Sequence, residues 1–166
     1  MVPRQRNRRR EILHDFVFTV RAEPIPAELR PEWRISLLLL MLLRVGRGGS
    51  MPLKKAHVLC SGARTGEARG RLLRMLEGHR YLDDIPVRID PSLNRAIDYA
   101  IAEKLIIAEV RSNTCVLKLL PNGEAIAQRI YADDDCMDVE KQFADRLRGQ
   151  LTNEKMDELL NWETTL

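Results

Sequence analysis

The sequence predicts a mainly α-helical domain with a small β-hairpin, and three stretches carry that expectation. Residues 31–45, "PEWRISLLLLMLLRV", put leucines on nearly every helical face, the pattern of a helix enclosed on all sides. "LIIAEV" (105–110) and "TCVLKLL" (114–120) are two runs of strand formers joined by "RSN", which reads as a hairpin. The second run enters "PNGEAIAQRI" without a linker, and Pro121 suits the first turn of a helix.

The chain opens on "MVPRQRNRRR", where Arg4, Arg6, Arg8, Arg9 and Arg10 form a basic arm with no acid among them. "ILHDFVFTV" (12–20) is β-branched and aromatic enough to be a strand, or an extended segment packed on a neighbour. Pro24, Pro26 and Pro31 forbid a continuous helix through the stretch that follows. Pro31 and Glu32 favour a helix start there, the acid because it faces the positive end of the dipole. "GRGG" (46–49) stops that helix. Ser50 is expected to cap the next, with Pro52 in its first turn and Leu53, Ala56, Val58, Leu59 and Cys60 on one side. Thr65 caps a third helix over 66–80, with Leu72, Leu73, Met75 and Leu76 facing inward and arginines on the rest.

"IPVRID" (85–90) reads as a short strand. Asp90 and Pro91 then supply an N-cap and a first-turn proline for a helix over 91–104. After the hairpin, a helix runs from Pro121 to about Tyr131. "MDVEKQFADRLRG" forms another, ended by Gly149, and Thr152 caps the last. Met156, Leu159, Leu160 and Trp162 make either a docking stripe or the closing edge of the domain's own core. The organisation is thus a basic arm and extended segment (1–30), a central domain (31–131) and a C-terminal helical extension (132–166).

Bulk properties narrow the class. At 166 residues, 45% hydrophobic and 31% charged, the chain can bury a real core. Cys60, Cys115 and Cys136 are an odd number with no C-x-x-C pair, which suggests a reducing, cytoplasmic setting. No apolar signal segment follows the arginines. The most apolar run, Ile35 to Leu43, is about half of the ~20 residues that span a bilayer. Charge is divided along the chain. Residues 1–80 hold 17 Lys/Arg against 7 Asp/Glu, and residues 81–166 hold 10 against 17. Either one half faces an anionic partner, or the halves attract each other within the fold.

Nothing reads as catalytic. His14 and Asp15 would point to opposite faces of a strand. His57 and Cys60 share a helix face, but no spacing supplies two further metal ligands. His79 lies at a helix end, where a cation suits the dipole, and "DDD" at 133–135 reads as a solvated linker. "GRGG" lacks the frame of a phosphate loop. The expectation is a non-enzyme without cofactor or metal.

The order of elements, helices leading to a hairpin and a closing helix, resembles a winged helix over about residues 31–131. The hairpin's second strand ends in Leu119-Leu120-Pro121-Asn122-Gly123-Glu124, where many winged helices carry threonine before the proline; Leu120 stands in its place. A winged helix implies DNA binding through the helix before the hairpin. Here that helix exposes Asn94, Arg95, Asp98, Tyr99, Glu103 and Lys104, two bases against two acids, and the hairpin tip adds only Arg111. Phosphate contacts need a positive excess, so this face suits a protein better. Arg69, Arg71, Arg74 and Arg80, with the N-terminal arm, are the better DNA candidates.

"WRISLLLLMLLRVGRGGSMPLKKAHVLCSGAR", with Leu53, Lys55, His57 and Leu59 in an L-x-K-x-H-x-L pattern, resembles the middle subunits of ABC-three-component, Lamassu-type anti-phage systems. The likeness continues through "PSLNRAIDYAIAEKLI" to "LTNEKMDELLNW". Winged-helix accessory subunits of bacterial SMC complexes are a related analogy. The resemblance implies a non-catalytic subunit bridging an SMC-like ATPase and an effector nuclease. A stand-alone winged-helix transcription regulator is the alternative.

Overall fold

The computed structural model describes residues 26–79, 90–152 and 154–156. The arm, the segment 12–20, residues 85–89 of the expected short strand, Arg80, Leu159, Leu160 and Trp162 lie outside the described residues.

The architecture is mainly helical, with a small three-stranded antiparallel sheet. A single turn of 3-10 helix, Ala27–Leu29, leads into α1 (Pro31–Arg44). Six consecutive side chains of α1, Leu37 through Leu42, are buried, so every face is covered as the leucine pattern requires. The cover comes from α2 (Leu53–Ala63), α4 (Pro91–Ala102), α5 (Pro121–Ala132) and α6 (Asp138–Leu147), which all pack on α1. Helix α3 (Gly66–Leu76) packs on α2 and stops four residues short of the expected 66–80.

Two helix starts are capped as the sequence indicates. Thr65 Oγ1 accepts the Ala68 N–H at 3.1 Å, and Asp90 Oδ1 accepts the Ser92 N–H at 2.9 Å. Farther on, Thr152 Oγ1 accepts the Lys155 N–H at 3.2 Å.

Ser50 does not cap α2. It opens strand β1 (Ser50–Pro52), and α2 begins only at Leu53. The cause lies in the glycines before it. Gly48 and Gly49 take left-handed φ values of 60° and 69°, forming a tight turn closed by Arg47 N–H to Ser50 O at 2.9 Å. That turn lays 50–52 beside strand β3 (Thr114–Leu119), with Met51 opposite Leu117, and both side chains enter the core. Pro52, at the end of an edge strand, removes no ladder bond. Strand β2 (Ile106–Arg111) pairs with β3 on its other side, giving the order β1-β3-β2. The β2–β3 turn is two residues, Ser112 and Asn113, at φ 47° and 63°. Both angles are left-handed, as the tight hairpin turn requires.

The strand-to-helix junction depends on Gly123. The Leu120 N–H donates to Leu105 O at 2.9 Å, extending the ladder by one step. A Cβ on Gly123 would stand 2.0 Å from that same Leu105 oxygen. The first turn of α5 thus sits directly on backbone, which explains glycine at this position better than any turn requirement. Leu120 makes no side-chain cap, so the junction relies on this close seating. Gly123→Ala is expected to push α5 off the hairpin and cost about 1–3 kcal/mol, the range for overpacking. Chemical denaturation checks it; an unchanged midpoint would show that α5 moves aside freely.

Candidate interaction surfaces

The exposed face of α4 is nearly balanced in charge. Pro91, Arg95, Asp98 and Ala102 follow one another along its outer stripe, flanked by Asn94 and Ile101 on one side and Tyr99 on the other, all exposed. Glu103 and Lys104 close the helix, also exposed. Arg95 has no side-chain partner among the described residues. Tyr99, at 57% exposure, is the most prominent apolar group on this face.

The arginines of α3 are already engaged. Arg69 donates to Ala63 O at 2.6 Å and lies 3.6 Å from Glu140 of α6. Its guanidinium ties α3 to the end of α2 and to α6, so it is a structural cation. Arg71 pairs with Glu67 one turn earlier at 2.8 Å, and Arg74, though exposed, also has an interaction. At the hairpin tip, Arg111 Nε donates to Glu109 at 2.9 Å. Of the candidates in the described region, only Arg95 therefore has no such partner. The five arginines of the arm lie outside that region.

The outer face of the sheet carries cations that sequence reading passed over. Arg47 bridges Ser50, Ser50 pairs with Lys118, and Lys118 pairs with Ile107. Residues opposite one another in a ladder share a face, so these four form one row across the sheet. The opposite face holds Met51, Leu117, Leu119 and Ile106 in the core, which leaves the row pointing outward. Arg47 and Lys118 are exposed and have no side-chain partner among the described residues. Their alignment depends on β1, a stretch that by sequence satisfies the rule for a helix start.

The chain matches no family model, no curated protein and no solved structure.

The buried polar groups are structural. Arg34 of α1 reaches Asp90, the N-cap of α4, at 2.5 Å, with side-chain exposures of 8% and 13%. Arg64 approaches the same carboxylate at 3.7 Å. Burial pushes the Asp90 carboxyl up, but the Ser92 N–H and the two arginines outweigh it and hold it below the ordinary value. Nearby, burial pushes the Cys60 thiol up to about 12, against the opposing charge of Arg34. A thiol so held is a packing group, not a nucleophile. His57 is buried, and its Nδ1 has no partner among the described residues. Lys55 is buried too, and Nζ donates to Leu151 O at 2.7 Å, fastening the C-terminal segment to α2. Burial lowers its pKa. Among the described residues no group of His, Cys, Asp and Glu is placed to hold a metal ion, and no helix is long and apolar enough to cross a membrane.

Proposed function

We propose that the chain is a non-catalytic interaction subunit on a winged-helix frame. In this reading it serves a DNA-sensing anti-phage complex in the cytoplasm, bridging an SMC-like ATPase and an effector nuclease. Helix α4 leading into a hairpin, with a third strand beside β3, supports the frame. The protein-facing role rests on one observation: the balanced face of α4, where Arg95 and Lys104 stand against Asp98 and Glu103 and Tyr99 is exposed. A duplex reader needs cations there, because phosphate contacts supply much of the affinity. An exposed aromatic within a mixed-charge surface is the composition of a protein contact. Arg47 and Lys118 on the sheet, with the N-terminal arm, are left for any non-specific DNA contact.

A stand-alone winged-helix DNA-binding transcription regulator is the second reading, and Arg95 separates the two. Arg95→Ala is expected to leave duplex affinity nearly unchanged on both random and selected sequences. A regulator would lose about 1–3 kcal/mol on its own site alone. Gel shifts with the two duplex sets decide, and co-elution with the products of neighbouring genes, weakened by Tyr99→Ala, tests the docking role directly.

A further inference from the structure

The row of Arg47, Ser50 and Lys118 is positioned by backbone. Arg47 and Ser50 exchange two hydrogen bonds, Arg47 N–H to Ser50 O at 2.9 Å and Ser50 N–H to Arg47 O at 3.2 Å. Ser50 stands opposite Lys118, which lies on the middle strand of the sheet and is paired on both sides. Opposite residues are about 4.5–5.5 Å apart, so two such steps put the Arg47 and Lys118 Cα atoms about 10 Å apart, with both side chains outward. Both residues are exposed, as is Gly48, whose lack of a side chain leaves the turn beside the row low. The next row on this face is Pro52, Val116 and Glu109, and the one after it Thr114 and Arg111. Of these residues only Glu109 is acidic, and Arg111 lies against it, with Nε at 2.9 Å. Glu109 is thus neutralised within its own strand, and the two positive charges of the first row are not cancelled by the sheet.

We propose that this outer sheet face seats the phosphodiester backbone of duplex DNA, with Arg47 and Lys118 each meeting one phosphate and no base being read. The contact rests on the function proposed above for its duplex, the DNA that the complex senses. It uses neither α4 nor the hairpin tip, through which the winged-helix likeness would imply binding. Arginine, lysine and a serine hydroxyl are groups that contact phosphate and fix position without carrying sequence information. A protein partner fits this face less well. Protein interfaces are depleted in lysine and serine and enriched in aromatic residues, whereas the first row holds Lys118 and Ser50 and no residue of the three rows is aromatic. A single strand fits less well for the same reason, since its bases stack on aromatic side chains.

Fluorescence anisotropy of the full chain on random-sequence duplexes, at several salt concentrations, tests this. Arg47→Gln and Lys118→Gln should each reduce the slope of log affinity against log salt by about 0.9, and the double variant by about 1.8, equally on every duplex. Lys118→Arg keeps the charge and should keep the slope. Arg4, Arg6, Arg8, Arg9 and Arg10 are present in every protein compared, so whatever they contribute cancels in the difference. An unchanged slope in the double variant overturns the proposal, while continued co-elution with the products of neighbouring genes leaves the subunit reading standing. An unchanged slope with co-elution lost gives the row to an acidic protein and overturns the proposal as well. A reduced slope in a chain whose wild type co-elutes with none of those products upholds the row and removes the subunit reading instead.

Discussion

Leu39→Ala is expected to destabilise the domain by about 2–5 kcal/mol, the range for truncating a core leucine. Leu39 is fully buried midway along α1, and the residues on either side of it, Leu38 and Leu40, are fully buried as well. A helix covered on one face can tilt to fill a void. α1 is held by α2, α4, α5 and α6 at once, so the cavity left by three lost carbons persists. Leu39→Met keeps the volume and should cost under about 1.5 kcal/mol. Urea unfolding of the three proteins, compared at equal slope, measures both effects. A loss below about 1 kcal/mol for the alanine variant would mean that α1 is not the centre of the fold.

How much of this was legible in the sequence depended on whether the signal was local. α1 declared itself because leucines on all faces have one physical reading. The hairpin did so because two β-prone runs flank a short polar turn. Thr65 and Asp90 were legible as caps, since a cap is a relation between residues two or three apart. Ser50 failed because its fate is set by Leu117 and Lys118, more than 60 positions away. Serine followed by proline two residues on satisfies the rule for a helix start, but the Gly48–Gly49 turn delivers it to a strand instead. The same miss hid the row of Arg47 and Lys118. The engagement of Arg69 is hidden from the sequence for a related reason. Counting arginines finds a basic face, but Ala63 O and Glu140 occupy Arg69 only after α2 and α6 have packed. The balance on α4 survived because the charges that make it lie along a single helix and its end.

Asp90→Ala is expected to cost about 3 kcal/mol, the lower end of the range for breaking a buried ion pair from one side. The carboxylate has two jobs. It caps α4 through the Ser92 N–H, and it neutralises Arg34, whose side chain is buried on α1. Alanine removes both, leaving a guanidinium in the interior with, among the described residues, only the competing charge of Arg64 nearby. Asp90→Asn keeps a side-chain acceptor for the cap and should recover about 1 kcal/mol of the loss. Pairing Asp90→Asn with Arg34→Met should recover more, since no charge is then buried alone. The pH dependence follows from the direction of the shift. Asp90 titrates below the ordinary carboxylate value of 3.8 in the folded state, so the unfolded chain binds its proton first as the pH falls. Its contribution is complete well above pH 4 and disappears as the pH drops through the folded value. The stability of the wild type should therefore fall more steeply below about pH 5 than that of Asp90→Asn. Parallel acid limbs for the two proteins would show that Arg34 and Asp90 are not coupled in solution, and that α1 and α4 are joined by apolar packing alone.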